Sequence, residues 1–180
     1  MEGTMKDLYR AVLVLLVLCL LFSCTKSPIL IPEFATATEQ YIFAKSLKDK
    51  VLMEQPMGTD KKTHNQAMIM AYENVINRYP DDKRVTPLAW IDLGDIYFRL
   101  GEYEKALTHY DTAKQKYPEQ DDILCKSLFG AARSHDKLKN FEQAIANYKE
   151  CFVRYENDSR PYLAIIGQQS RVNYSRIRIK

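Results

Sequence analysis

The chain has 180 residues, of which 46% are hydrophobic and 27% charged, and its formal net charge is +3. That balance excludes a disordered chain and leaves room for one domain of ordinary size. The small net charge, with no Lys/Arg run that could track phosphates, argues against a nucleic-acid partner.

The first residues read as a targeting segment rather than as part of a fold. Residues 11–22, AVLVLLVLCLLF, are unbroken apolar sequence. They fall short of the roughly 20 residues that span a bilayer as a helix, and they suit the core of a signal peptide. Glu2, Lys6, Asp7 and Arg10 cancel in the preceding flank, whereas a start at Met5 leaves that flank positive. The run closes on Leu21-Phe22-Ser23-Cys24, which resembles the bacterial lipobox, with Phe22 bulkier than usual at its place. The resemblance implies a signal peptide over 1–23 and lipid attachment at Cys24. With Thr25 rather than Asp next, it implies an anchor at the periplasmic face of the outer membrane. A plain secretory signal or an uncleaved anchor remains the alternative. Residues 24–35 hold two prolines and no helical period, so they read as a tether.

Helices are expected from Thr36 onward. Thr36-x-x-Glu39 has capping-box spacing, and Tyr41, Ala44, Leu47 and Val51 make one apolar face to about residue 51. Gln55 to Asp60 is loop chemistry. A second helix runs from about His64 to Tyr79, and Pro80-Asp81-Asp82 ends it. Thr86 is expected as an N-cap with Pro87 at the first helical position. Trp90, Leu93, Tyr97 and Leu100 then mark one helical face, Gly101 breaks it, and Tyr103, Ala106, Leu107, Tyr110 and Ala113 form the next, up to Tyr117-Pro118. Asp121 or Asp122 opens a helix to about Leu138, the chain turns near Asn140, and Phe141–Arg154 is helical. A last helix begins at Pro161 and covers the open end of the stack, unless the array continues.

Second-helix positions recur every 38 residues. Met68, Ala106 and Ala144 align, as do Tyr72, Tyr110 and Tyr148, and Tyr79, Tyr117 and Tyr155. Within one period, Trp90, Leu93, Gly94, Tyr97, Ala106, Tyr110, Ala113 and Pro118 follow the pattern W-x2-L-G-x2-Y, small, aromatic, small, Pro. This resembles the tetratricopeptide repeat. The period exceeds the usual 34 residues, which predicts longer helices rather than longer loops. The resemblance implies an all-α solenoid over 36–180, with hairpins at about 36–80, 86–118 and 122–156 and a final helix over 161–174.

No catalytic constellation stands out. His64, His109 and His135 have no metal-ligand spacing, His109 is expected on the exposed side of its helix and His135 in place of a packing Tyr, and the Asp81-Asp82 and Asp121-Asp122 pairs sit where caps and turns belong. Neither an enzyme nor a cofactor, metal or small-molecule substrate is expected. Cys125 and Cys151 fall on antiparallel helices, either as a disulfide or as two small packing residues. Tetratricopeptide arrays bind protein partners along their first helices, which implies a groove formed by Ile91, Asp95, Phe98, Arg99, Phe129, Arg133, Asp136, Lys137, Arg171 and Tyr174. Lipobox, short tether and repeats ending in Arg/Lys-Tyr-Pro together resemble the tetratricopeptide lipoproteins of the outer-membrane β-barrel assembly machinery and the periplasmic tetratricopeptide proteins of the Tol-Pal system. The function so implied is a membrane-anchored, non-catalytic scaffold in cell-envelope assembly. A pilotin-like lipoprotein that escorts a secretion-system client is the alternative.

Overall fold

The computed structural model of the chain describes residues 29–53 and 61–179, with 50–53 as backbone only. Cys24, the apolar run before it and the whole loop from Gln55 to Asp60 lie outside the described residues. Seven helices follow one another among those described: α1 Ala37–Met53, α2 Lys61–Arg78, α3 Thr86–Leu100, α4 Tyr103–Lys116, α5 Asp121–Lys137, α6 Phe141–Tyr155 and α7 Pro161–Arg178. The expected all-α solenoid of hairpins is therefore what forms.

Each helix packs on the next, and α3, α5 and α7 also touch one another in series. The first helices thus make one layer and the second helices α4 and α6 back it. The core follows the 38-residue period: Tyr72, Tyr110 and Tyr148 are each at most 1% exposed, and Met68, Ala106 and Ala144, one helical turn before them, are buried as well. Small residues let the backbones close in, and the tyrosines fill what is left. Tyr110 shows how tightly. A Cβ on Gly94 of α3 would stand 2.6 Å from its ring, and one on Gly130 of α5 only 2.4 Å away.

The hairpin turns differ in chemistry. Gly101 takes φ 80°, and its N–H and that of Glu102 close the end of α3 on the carbonyls of Phe98 and Tyr97. In the next hairpin Lys139, not Asn140, takes the left-handed conformation, at φ 63°. The Thr36–Glu39 capping box forms in both directions, Thr36 N–H to Glu39 Oε2 and Glu39 N–H to Thr36 Oγ1, each at 3.2 Å.

Four expectations are corrected. α2 starts at Lys61 rather than near His64. Thr86 does not cap: it is already helical and buried, and its hydroxyl donates to the Tyr79 carbonyl at 2.6 Å, tying α3 to the end of α2. The segment before α1 is docked from Ile31 onward. Ile31 is buried, Phe34 packs on Phe43 at 5.4 Å, the Phe34 carbonyl accepts from the Tyr79 hydroxyl, and Arg78 pairs with Glu33. Finally, the extra residues of the period do not all lengthen helices. Between the second and third hairpins they extend α5, but between the first and second they lie in the connection 79–85. There Asp82 Oδ1 accepts from the N–H groups of Arg84 and Val85 at 2.9 and 2.8 Å, the turn role its sequence position suggests.

Candidate functional site

Two open clefts run along the first-helix layer. One, about 570 Å³, is lined by Phe98, Arg133, Asp136, Lys137, Lys139, Phe141, Tyr148, Asn173 and Arg176. The other, about 260 Å³, is lined by Lys48, Asp95, Phe98, Arg99 and Arg133. They share Phe98 and Arg133, so they form one trough across α1, α3, α5 and α7.

The centre of the trough is a cation held on aromatics. The Arg133 guanidinium lies 4.0 Å from the centre of the Phe98 ring and 5.6 Å from that of Phe129. Both rings are themselves fixed, Phe98 edge-on to Tyr103 at 5.3 Å and Phe129 edge-on to Tyr148 at 6.1 Å. On either side the acidic groups are already engaged. Asp95 Oδ1 accepts the Tyr110 hydroxyl at 2.6 Å, and that contact, after burial, holds the Tyr110 phenol far above its ordinary range. Asp92, one turn before Asp95, accepts the Tyr41 hydroxyl at 2.8 Å and pairs with Lys48, which ties α1 to α3. Asp136 pairs with Arg176 of α7.

Residues 85–157 match the family profile described as Tetratricopeptide repeat. This stretch consists of tetratricopeptide repeats. The match spans α3 to α6, the two hairpins that carry the centre of the trough. No curated protein matches the chain. Tetratricopeptide arrays commonly mediate protein–protein interaction, and they are typically non-catalytic.

Of the residues expected to form a groove, the structure brings Asp95, Phe98, Arg99, Arg133, Asp136 and Lys137 together around the trough. Phe129 underlies Arg133. Ile91 does not belong: it is 5% exposed, packed in the core. Arg171 does not belong either. It pairs with Glu156 and lies 4.7 Å over the Phe152 ring, against the end of α6. Tyr174 packs edge-on against the same Phe152 at 5.2 Å. The α7 residues that reach the trough are Asn173 and Arg176, and with Lys48, Lys139, Phe141 and Tyr148 they are the ones sequence spacing missed. The mixed polar and aromatic composition of first-helix positions was the signal, but the rotation of α7 was not encoded in the repeat.

The histidines take packing positions. His109 is not on an open face. Its ring stacks on Tyr97 at 5.1 Å and lies 5.4 Å from Trp90, and burial pushes its pKa down from 6.5 to about 4. His135 is half-buried, with its pKa lowered by burial, and His64 Nε2 lies 3.1 Å from the Leu47 carbonyl. Among the described residues no group of three or more His, Cys, Asp or Glu is placed to hold a metal ion.

Cys125 and Cys151 are brought together. Their Sγ atoms lie 3.9 Å apart as free thiols, both fully buried, with Leu124, Leu128, Tyr155 and Leu163 around them. The contact with Cys151, then burial, holds the Cys125 thiol far above its ordinary range.

Proposed function

We propose that this chain is a membrane-anchored, non-catalytic tetratricopeptide scaffold. It presents the trough centred on Phe98 and Arg133 to protein partners in a bacterial cell envelope, in outer-membrane protein assembly. The observation that carries the reading is the continuity of the trough across consecutive first helices. Four helices each contribute exposed or half-exposed side chains to one surface, the arrangement by which a solenoid offers an extended partner many small contacts. Aromatics beside arginine are the residue types that dominate protein–protein recognition. The anchor rests on Leu21-Phe22-Ser23-Cys24 and the apolar run before it. More than one acyl chain on Cys24 would give stable attachment, at about 0.8 kcal/mol per buried methylene.

A photo-crosslinking residue in place of Phe98, in intact cells, tests the partner. Adducts to a component of the β-barrel assembly machinery are expected, with none from the same residue at Arg171. Adducts to a secretin subunit would instead assign an escort role. Fatty-acid labelling that persists in Cys24→Ser would remove the anchor. In an oxidising envelope Cys125 and Cys151 close to a disulfide, giving two electrons and two protons to a disulfide-bearing oxidant. Two free thiols in the denatured, unreduced soluble domain would rule that out.

A further inference from the structure

We propose that the trough's ligand is an acidic, extended protein segment, with one carboxylate seated on Arg133. The proposal rests on the scaffold reading above and adds the chemistry of the partner.

The first ground is charge. Lys48, Arg99, Arg133, Lys137, Lys139 and Arg176 line the two clefts, against Asp95 and Asp136. Lys48 and Arg176 are neutralised by Asp92 and Asp136. Arg99, Arg133, Lys137 and Lys139 have no carboxylate partner among the described residues. The remaining carboxylate, Asp95, already accepts a hydrogen bond from Tyr110. The trough therefore carries an uncompensated positive field on a chain whose whole net charge is only +3. Such a local excess draws in and orients an anionic partner.

The second ground is geometry. A guanidinium stacked on a ring keeps its N–H edge free, and that edge matches a carboxylate through two parallel hydrogen bonds. Arg133 is stacked on Phe98, and Phe98 is braced by Tyr103. The side-chain entropy that an arginine ordinarily loses on binding is thus largely lost already on folding. Phe141, 38% exposed, lies in the same cleft and offers apolar contact to the residues flanking the acid. An open trough that runs past Arg133 in both directions fits an extended chain better than an enclosed small molecule. Nucleic acid is disfavoured because the sequence has no Lys/Arg run that could track successive phosphates.

The test uses the full chain in detergent and reads fluorescence anisotropy of three labelled probes. They are a peptide of alternating Glu and Ala, its Gln-for-Glu counterpart, and single-stranded oligothymidylate. The Glu peptide is expected to bind at least about tenfold more tightly than the Gln peptide and to weaken as salt rises. Arg133→Glu is expected to abolish binding and Arg133→Lys to weaken it about tenfold, both with an unchanged helical melt by circular dichroism. Arg171→Glu, whose parent side chain is paired outside the trough, is expected to bind as the wild type does. The proposal is overturned if the Glu peptide does not bind, if the Gln peptide binds equally well, if oligothymidylate binds more tightly, or if folded Arg133→Glu keeps its affinity. These outcomes separate from the scaffold reading. Crosslinking from Phe98 without a Glu preference would leave the scaffold and remove the acidic ligand. A Glu preference without any crosslinked protein would do the reverse.

Discussion

Tyr110 sits where two hairpins meet, and two glycines make room for its ring. Its hydroxyl is pinned on Asp95 at 2.6 Å, so the ring cannot swing aside. Gly130→Ala places a methyl 2.4 Å from that ring as it stands. Overpacking of this kind costs about 1–3 kcal/mol, so thermal or urea melts should show a loss of that size; an unchanged midpoint would mean that α5 can slide away from α4. Gly94 was legible as a small residue on an apolar face, because the repeat pattern names that position. Gly130 was not, because its partner lies in the preceding hairpin and sequence spacing within one repeat does not reach it. His109 was misread for a related reason. It looked exposed on its own helix, but Trp90 and Tyr97 of α3 close over it. Its pKa falls from 6.5 unfolded to about 4 folded, so the unfolded chain takes up its proton first as pH drops. The contribution of His109 is therefore complete above pH 6.5 and is lost as pH falls from there towards about 4. His109→Gln should lose less stability over that window than the wild type does, as read from urea midpoints at a series of pH values. Parallel curves would show that the ring is solvated.

At the scale of the element, the two described hairpin turns ask the same thing of the backbone and receive different residues. Gly101 and Lys139 both occupy the left-handed region, and nothing lies within 4 Å of a Cβ built on Gly101. Gly101→Ala therefore carries only the backbone penalty, about 1 kcal/mol, while Lys139→Gly should stabilise by about 0.5 kcal/mol once glycine's extra unfolded-state entropy is subtracted. Urea melts showing the same sign for both substitutions would contradict that account. The helices themselves were legible because their apolar positions repeat and their turns carry breakers. Which face is open was legible only in part. α3 touches α2, α4 and α5, so Ala89, Ile91, Leu93, Ile96 and Tyr97 are all buried, and the stripe of Asp95, Phe98 and Arg99 is what lines the trough. A rule that assigns every position between packing residues to the groove therefore overcounts on an interior helix, and Ile91 is the result. On α7 the same rule failed in phase. The buried face of Leu163, Gly167, Ser170 and Ile177 sets the rotation of α7, which puts Arg176 over Asp136 and leaves Arg171 to pair with Glu156 beside Phe152.

At the scale of the whole molecule, stability is distributed hairpin by hairpin, and α7 has an outsized share at its end. Leu163 completes the cluster of Leu124, Cys125, Leu128, Cys151 and Tyr155, and Ile177 completes that of Ala132, Ala144 and Tyr148. Gly167 lets α7 approach the end of α6 closely, since a Cβ there would lie 2.4 Å from the Glu156 backbone nitrogen. One helix therefore covers both halves of the third hairpin's core, while its outer side leaves Tyr162, Ile165 and Val172 exposed. In a stack where each unit contacts only its neighbours, removing an end unit weakens the next one most and distant ones least. Ending the chain after Arg160 should therefore raise amide hydrogen exchange sharply in α5 and α6, less in α3 and α4, and least in α1 and α2. Because α5 carries Arg133, the same truncation should also loosen the trough before the first hairpin is affected. Equal loss of protection across all helices would mean that the stack folds as one cooperative block, held together by long-range ties such as Asp92 with Tyr41 and Lys48 rather than by neighbour contacts alone.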